Sequence, residues 1–132
     1  MRVKYIAKFC LIFLLLNSAS RISAQEIKVT EFRSSPRDIS ARENTVYDAN
    51  GDACAIIKAR TGLQNLKFSG DLEIRKIENH DGEYWLWVSP NTQQINIEAE
   101  GMGKLEYKLP SFAEEYNVYV IFLTAILPDK II

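Results

Sequence analysis

The chain has 132 residues, 47% of them hydrophobic, with 16 basic and 17 acidic side chains and a formal net charge of −1. That length suits one domain with a single modest core. A near-neutral chain with no basic stripe is a poor partner for phosphate backbones, so nucleic acid is not expected to bind.

At the start of the chain, Arg2, Lys4 and Lys8 precede an apolar run over residues 9 to 16. Small and polar residues then lead to Ser23, Ala24 and Gln25. This is the pattern of a secretory signal peptide cleaved after Ala24. The run falls short of the roughly 20 apolar residues that a membrane span needs, so no span is expected in the mature chain. Cys10 lies behind Lys8 and Phe9, not the small residues of a lipoprotein cleavage site, and lipid attachment is not expected there. Removing residues 1–24 takes away four basic side chains, Arg2, Lys4, Lys8 and Arg21. A domain of residues 25–132 remains, with 12 basic against 17 acidic side chains, net −5. Only Cys54 is left of the cysteines, so no intrachain disulfide is expected and packing alone must stabilise the domain. Among Ala53, Ala55, Ile56 and Ile57 its thiol reads as a small buried hydrophobe.

Residues 27 to 32 alternate apolar and polar side chains, the period of a half-buried strand, and Ser34, Ser35 and Pro36 end it. Residues 38 to 42 predict a short turn or bridging segment. Asp48, Asn50, Gly51 and Asp52 form a turn, followed by a strand over residues 53 to 60. That strand starts apolar enough to be buried on both faces before Lys58 and Arg60 reach water. A weaker strand follows over residues 63 to 68, then one over 72 to 77 with Leu72 and Ile74 on one face. Asp81 and Gly82 carry the hairpin signal of residues that tolerate positive φ.

The next strand, residues 83 to 88, places Tyr84, Leu86 and Val88 on one face and Glu83, Trp85 and Trp87 on the other. Ile95, Ile97 and Ala99 then alternate with Asn96, Glu98 and Glu100, and Leu105, Tyr107 and Leu109 repeat the pattern after Gly101 and Gly103. Residues 116 to 127 form a β-branched and aromatic run. They predict a buried closing strand, with an edge open to pairing with another chain. Turns every eight to twelve residues, without helical periodicity, predict an all-β fold. The architecture is an antiparallel, Ig-like or prealbumin-like β-sandwich of about seven or eight strands.

No catalytic constellation emerges. His80, the one histidine, sits in a turn without a nucleophile or an orienting partner nominated by spacing, and an enzyme is not expected. Asp48, Asn50 and Asp52 alternate as in a calcium loop. Gly51, however, falls at the fourth position instead of the sixth, and Ala59 stands where a bidentate glutamate belongs, so turn formation explains them and no metal or cofactor is expected. The binding candidates are Trp85 and Trp87, two indoles about 7 Å apart along one strand, with Glu83 beside them. Either they stack on sugar rings or anchor a partner, or another segment covers them, the 27–32 strand or the C-terminal one being the natural choices.

Several of these residues also stand in the order of a known pattern. Asp48, Asn50 and Gly51 precede a small-apolar strand over residues 53 to 59. Asp81, Gly82, Tyr84, Leu86 and Val88 follow, then Ser89-Pro90, Ile95 and Ile97, and Glu100-Gly101. Over residues 44 to 110 the chain resembles the prealbumin-like sandwich of carboxypeptidase-regulatory-like and PEGA-type domains of secreted Gram-negative envelope proteins. The resemblance implies a seven-stranded sandwich with Tyr84, Leu86 and Val88 inward. It also implies a unit that stands before further domains, so the chain reads either as a stand-alone module or as a shortened one. The expected role is a non-catalytic exported module of the periplasm or cell envelope whose partner is an envelope protein or a glycan. The alternative is a carbohydrate-binding module using the Trp85/Trp87 face.

Overall fold

The computed structural model describes residues 25 to 127. The expected signal peptide, Cys10 and the apolar Ile131 and Ile132 lie outside the described residues. Eight strands and one helical turn follow in order. They are β1 (Glu26–Ser34), α1 (Ser40–Glu43), β2 (Ala55–Arg60), β3 (Leu66–Gly70), β4 (Ile74–Asn79), β5 (Glu83–Val88), β6 (Gln94–Ala99), β7 (Gly103–Lys108) and β8 (Val118–Ile126). They form two sheets, one ordered β1-β8-β2-β5-β4 and the other β3-β6-β7. The chain is an all-β sandwich, as the alternation predicts.

The core forms where the period-2 faces of the two sheets meet. Ile57, Leu86, Ile97 and Ile121, all fully buried, belong to it. Tyr84, Leu86 and Val88 point into it, as do Ile95 and Ala99 from the smaller sheet. Burying side chains of this size contributes about 1.5–3 kcal/mol each before the entropy of ordering the chain is set against it.

The turns follow their chemistry. Between β4 and β5, Asp81 (φ 47°) and Gly82 (φ 88°) occupy the two central positions, and the His80 N–H donates to the Glu83 carbonyl at 2.7 Å, which closes a tight hairpin. Gly70 ends β3 where the chain crosses from one sheet to the other. A Cβ there would stand 3.1 Å from the carbonyl oxygens of Gln94 and Leu72, so only glycine fits without a shift. The Asp71 carboxylate then accepts from the N–H groups of Leu72, Gln93 and Gln94, tying that crossing to the start of β6.

Several details differ from the sequence reading. The strand expected over residues 72 to 77 begins at Ile74, and Leu72, expected on one face with Ile74, lies before it and is exposed. The closing strand is not at an edge: β8 lies between β1, to which it is antiparallel, and β2, to which it is parallel. The run also begins two residues late, because Tyr116 (φ 62°) turns the chain before Val118. Lys58 does not reach water either. It is 7% exposed, because the outer face of its sheet is covered as well as the inner one. Among the described residues no helix is long and apolar enough to cross a membrane.

Candidate functional site

β5 places Glu83, Trp85 and Trp87 on the outer face of the five-stranded sheet, opposite the core, as alternation requires. Their neighbours follow from the register. Arg60 pairs with Glu83, and Phe122 of β8 lies beyond it. One rung further, Val120, Lys58, Trp85 and Glu78 align across four strands. The third rung holds Val118, Ile56, Trp87 and Lys76. The face thus grades from charged to apolar along the strands.

At the apolar end, a second small cluster of Ala41, Cys54, Ile56, Trp87 and Val118 packs beneath α1. Trp87 is 1% exposed, and its indole N–H donates to the Asn44 carbonyl at 3.0 Å. The cover is the segment around α1, which the sequence reading took for a turn or bridge, and neither β1 nor β8. A single helical turn has too few residues to show a 3.6-residue period.

In the middle, Trp85 is half-buried. Its ring lies 5.8 Å from that of Trp87 and stacks on His80 at 4.3 Å, and the Lys58 ammonium sits 4.1 Å from its centroid. The indole N–H donates to Glu83 Oε1 at 2.7 Å, while the other carboxylate oxygen accepts from Arg60 Nε at 2.7 Å. Burial pushes the Glu83 carboxyl up. The hydrogen bonds from Arg60 and Trp85 more than reverse this and hold it below the ordinary range. Lys58 in turn donates to Asp38 Oδ2 at 2.7 Å and to Ser40 Oγ at 2.8 Å, which pins the α1 segment to the sheet. Lys76 lies 5.0 Å over the Trp87 ring, and Glu78 binds both Lys76 and His80 at 3.0 Å.

The structure therefore brings Trp85, Trp87 and Glu83 together, but as an internally satisfied lattice. Both glutamate oxygens are engaged and one indole is sealed. A sugar platform has to be wet when empty, and here the rings already carry cations and an imidazole.

The other candidates resolve into local structure. Asp48 Oδ1 accepts from the N–H groups of Asn50 and Asp52 at 3.0 and 2.9 Å, an Asx-type turn closed by the Gly51 N–H donating to the Asp48 carbonyl. Cys54 is buried beneath α1. Burial first, then the charges of Asp48 and Glu73, push its thiol up to about 11, where it is a poor nucleophile at neutral pH.

Hollows lie at the loops of the described residues, and two are of similar size. The larger, about 510 Å³, is an open saddle at the β6–β7 hairpin whose Lys67, Lys104, Glu98 and Glu100 carry both signs of charge. The other, about 480 Å³, lies between the loop of residues 61 to 66 and the β4–β5 turn, with Tyr84 among its lining residues. The Thr61 N–H donates to the Gly82 carbonyl at 2.9 Å, which ties these two loops together. Sequence reasoning did not single out this cleft, because its two walls come from loops some fifteen residues apart that read as ordinary turns. The one available signal was the polar series Thr61, Gln64 and Asn65 facing Asn79 and Asp81. A scan against protein-family models, a search of curated proteins and a search of solved structures each returned no match.

Proposed function

We propose that this chain is a non-catalytic, exported β-sandwich that serves as an interaction or structural module in the periplasm or cell envelope. The observation that carries this reading is the state of its reactive side chains. The Cys54 thiol is buried and raised to about 11, and among the described residues the His80 ring bonds Glu78 and stacks on Trp85 with no hydroxyl or thiol bonded to it, so no nucleophile is paired with a base there. The leader-like residues 1–24 and the turn order shared with carboxypeptidase-regulatory-like and PEGA-type domains favour the same role.

Fractionation of an exporting host, followed by crosslinking and pull-down from envelope extracts, tests it. The protein is expected outside the cytoplasm with an envelope component attached. Retention in the cytoplasm, or no partner recovered by folded protein, overturns the reading. The alternative of a carbohydrate-binding face at Trp85 and Trp87 draws on their 5.8 Å spacing, but the cover over Trp87 weighs against it. Trp85→Ala leaving glycan retention on an affinity gel unchanged would sink that alternative.

A further inference from the structure

The cleft between the 61–66 loop and the β4–β5 turn has the volume of a ligand site, where about 300–1,000 Å³ is usual, but not the usual apolar lining. Its walls carry the side-chain amides of Gln64, Asn65 and Asn79 and the carboxylate of Asp81. Among the described residues none of these four has a side-chain hydrogen-bond partner in the protein. All four are exposed, so their donors and acceptors are free to meet a ligand.

Tyr84 adds an independent observation. Its side chain belongs to the core, 8% exposed, with its ring 5.2 Å from that of Phe68. Its hydroxyl has no hydrogen-bond partner among the described residues. Every fully buried side-chain polar atom among those residues does have one. The hydroxyl must therefore reach solvent, and the cleft is where Tyr84 meets it.

The walls are also set in advance. Asn65 (φ 57°), Asp81 (φ 47°) and Gly82 (φ 88°) hold left-handed backbone, and the Thr61–Gly82 bond fixes one loop against the other. Asn and Asp tolerate that region, so these turn shapes follow from the local sequence. Because no Lys or Arg lines the cleft and Asp81 does, an anionic ligand is disfavoured. Amides donate and accept at once, a carboxylate accepts, and a phenol does both. That set matches adjacent hydroxyl groups, each of which also donates and accepts.

We infer that this cleft binds a neutral polyhydroxylated ligand, the end of a glycan chain, with Tyr84, Gln64, Asn65, Asn79 and Asp81 as its hydrogen-bonding residues. The inference deepens the interaction-module reading and rests on it, and it places recognition at the loops and not on the tryptophan face.

The test is a titration of ¹⁵N-labelled protein with cellohexaose, mannohexaose and chitohexaose, followed at the side-chain amide and indole N–H resonances. Saturable shifts at Gln64, Asn65 and Asn79 with at least one hexaose are expected. Tyr84→Phe, which removes one oxygen and keeps the ring, should weaken that binding about five- to tenfold with an unchanged melting temperature. Asn79→Ala, on the exposed turn, should weaken it similarly. No shift at the cleft with any hexaose overturns the inference, as do shifts centred on the indole N–H groups of Trp85 and Trp87. A silent cleft in a protein that still recovers an envelope partner fails the inference alone. A responsive cleft in a protein retained in the cytoplasm fails the export reading alone.

Discussion

Lys58 shows how one side chain joins two layers. Its ammonium sits over the face of Trp85 and bonds Asp38 and Ser40, so a single residue of β2 anchors the segment that seals Trp87. Removing its counter-charge leaves a nearly buried ammonium unpaired. Asp38→Asn is expected to cost about 2 kcal/mol in urea unfolding at pH 7, less than a fully buried pair because the carboxylate is partly exposed. The double variant Asp38→Asn with Lys58→Met should recover most of that loss, since an apolar chain of similar length needs no partner.

The same pair fixes a pH dependence. Burial raises the Asp38 carboxyl, but hydrogen bonds from Lys58 and Ser40 bring it below its ordinary 3.8. A depressed carboxyl contributes stability that is complete above that ordinary value and is lost as pH falls through the lowered one. Glu83 and Asp48, also lowered, add to the same acid-side loss. Unfolding curves between pH 6 and 2 should therefore show stability falling below about pH 4, with a shallower fall in Asp38→Asn. Cys54, with its thiol pushed up to about 11 beneath α1, should resist thiol reagents at pH 8 until denaturant opens the fold.

At the scale of elements, α1 does more than its four residues suggest. Ala41 is buried against Trp87, and the carbonyl of Asn44 takes the indole N–H. Trp85→Phe should therefore leave a blue-shifted emission that acrylamide hardly quenches, because Trp87 alone reports. Ala41→Glu introduces a charge where no space or partner exists. It should shift that emission to the red and cost about 2–3 kcal/mol.

The eight strands were legible because period-2 alternation and turn residues are local signals, clear in β5, β6 and the Asp81-Gly82 hairpin. The outer-face cover was not, because a single helical turn leaves no periodic trace. Lys58 was misplaced for the same reason: an alternating polar residue reads as exposed unless its second face is known to be covered. The candidate residues Glu83, Trp85 and Trp87 were correctly assigned to one face. Whether that face is wet depends on residues 38 to 46, about forty positions away.

For the whole molecule, the pairing pattern sets the kinetics. β1 must find β8 some 90 residues on, and β2 pairs with β8 across 62, in parallel. Such non-local contacts require closing long loops before any pairing is gained. Stopped-flow refolding followed by tryptophan emission should therefore fall in the range of about milliseconds to seconds. A phase in microseconds would contradict this topology. The position of β8 inside its sheet could not be read from its own residues, because a buried apolar run looks the same between two neighbours as beside one.

The antiparallel pairing of β1 with β8 sets Glu26 directly opposite Ile126. A pulling force applied at those two residues would load the rungs between the strands one after another, as in a zipper, instead of shearing them together. As a link in a tensioned assembly the domain would open early and act as a mechanical fuse. A force-spectroscopy trace pulled from residues 26 and 126 should show a lower rupture force than one pulled from attachment points that shear the same pair.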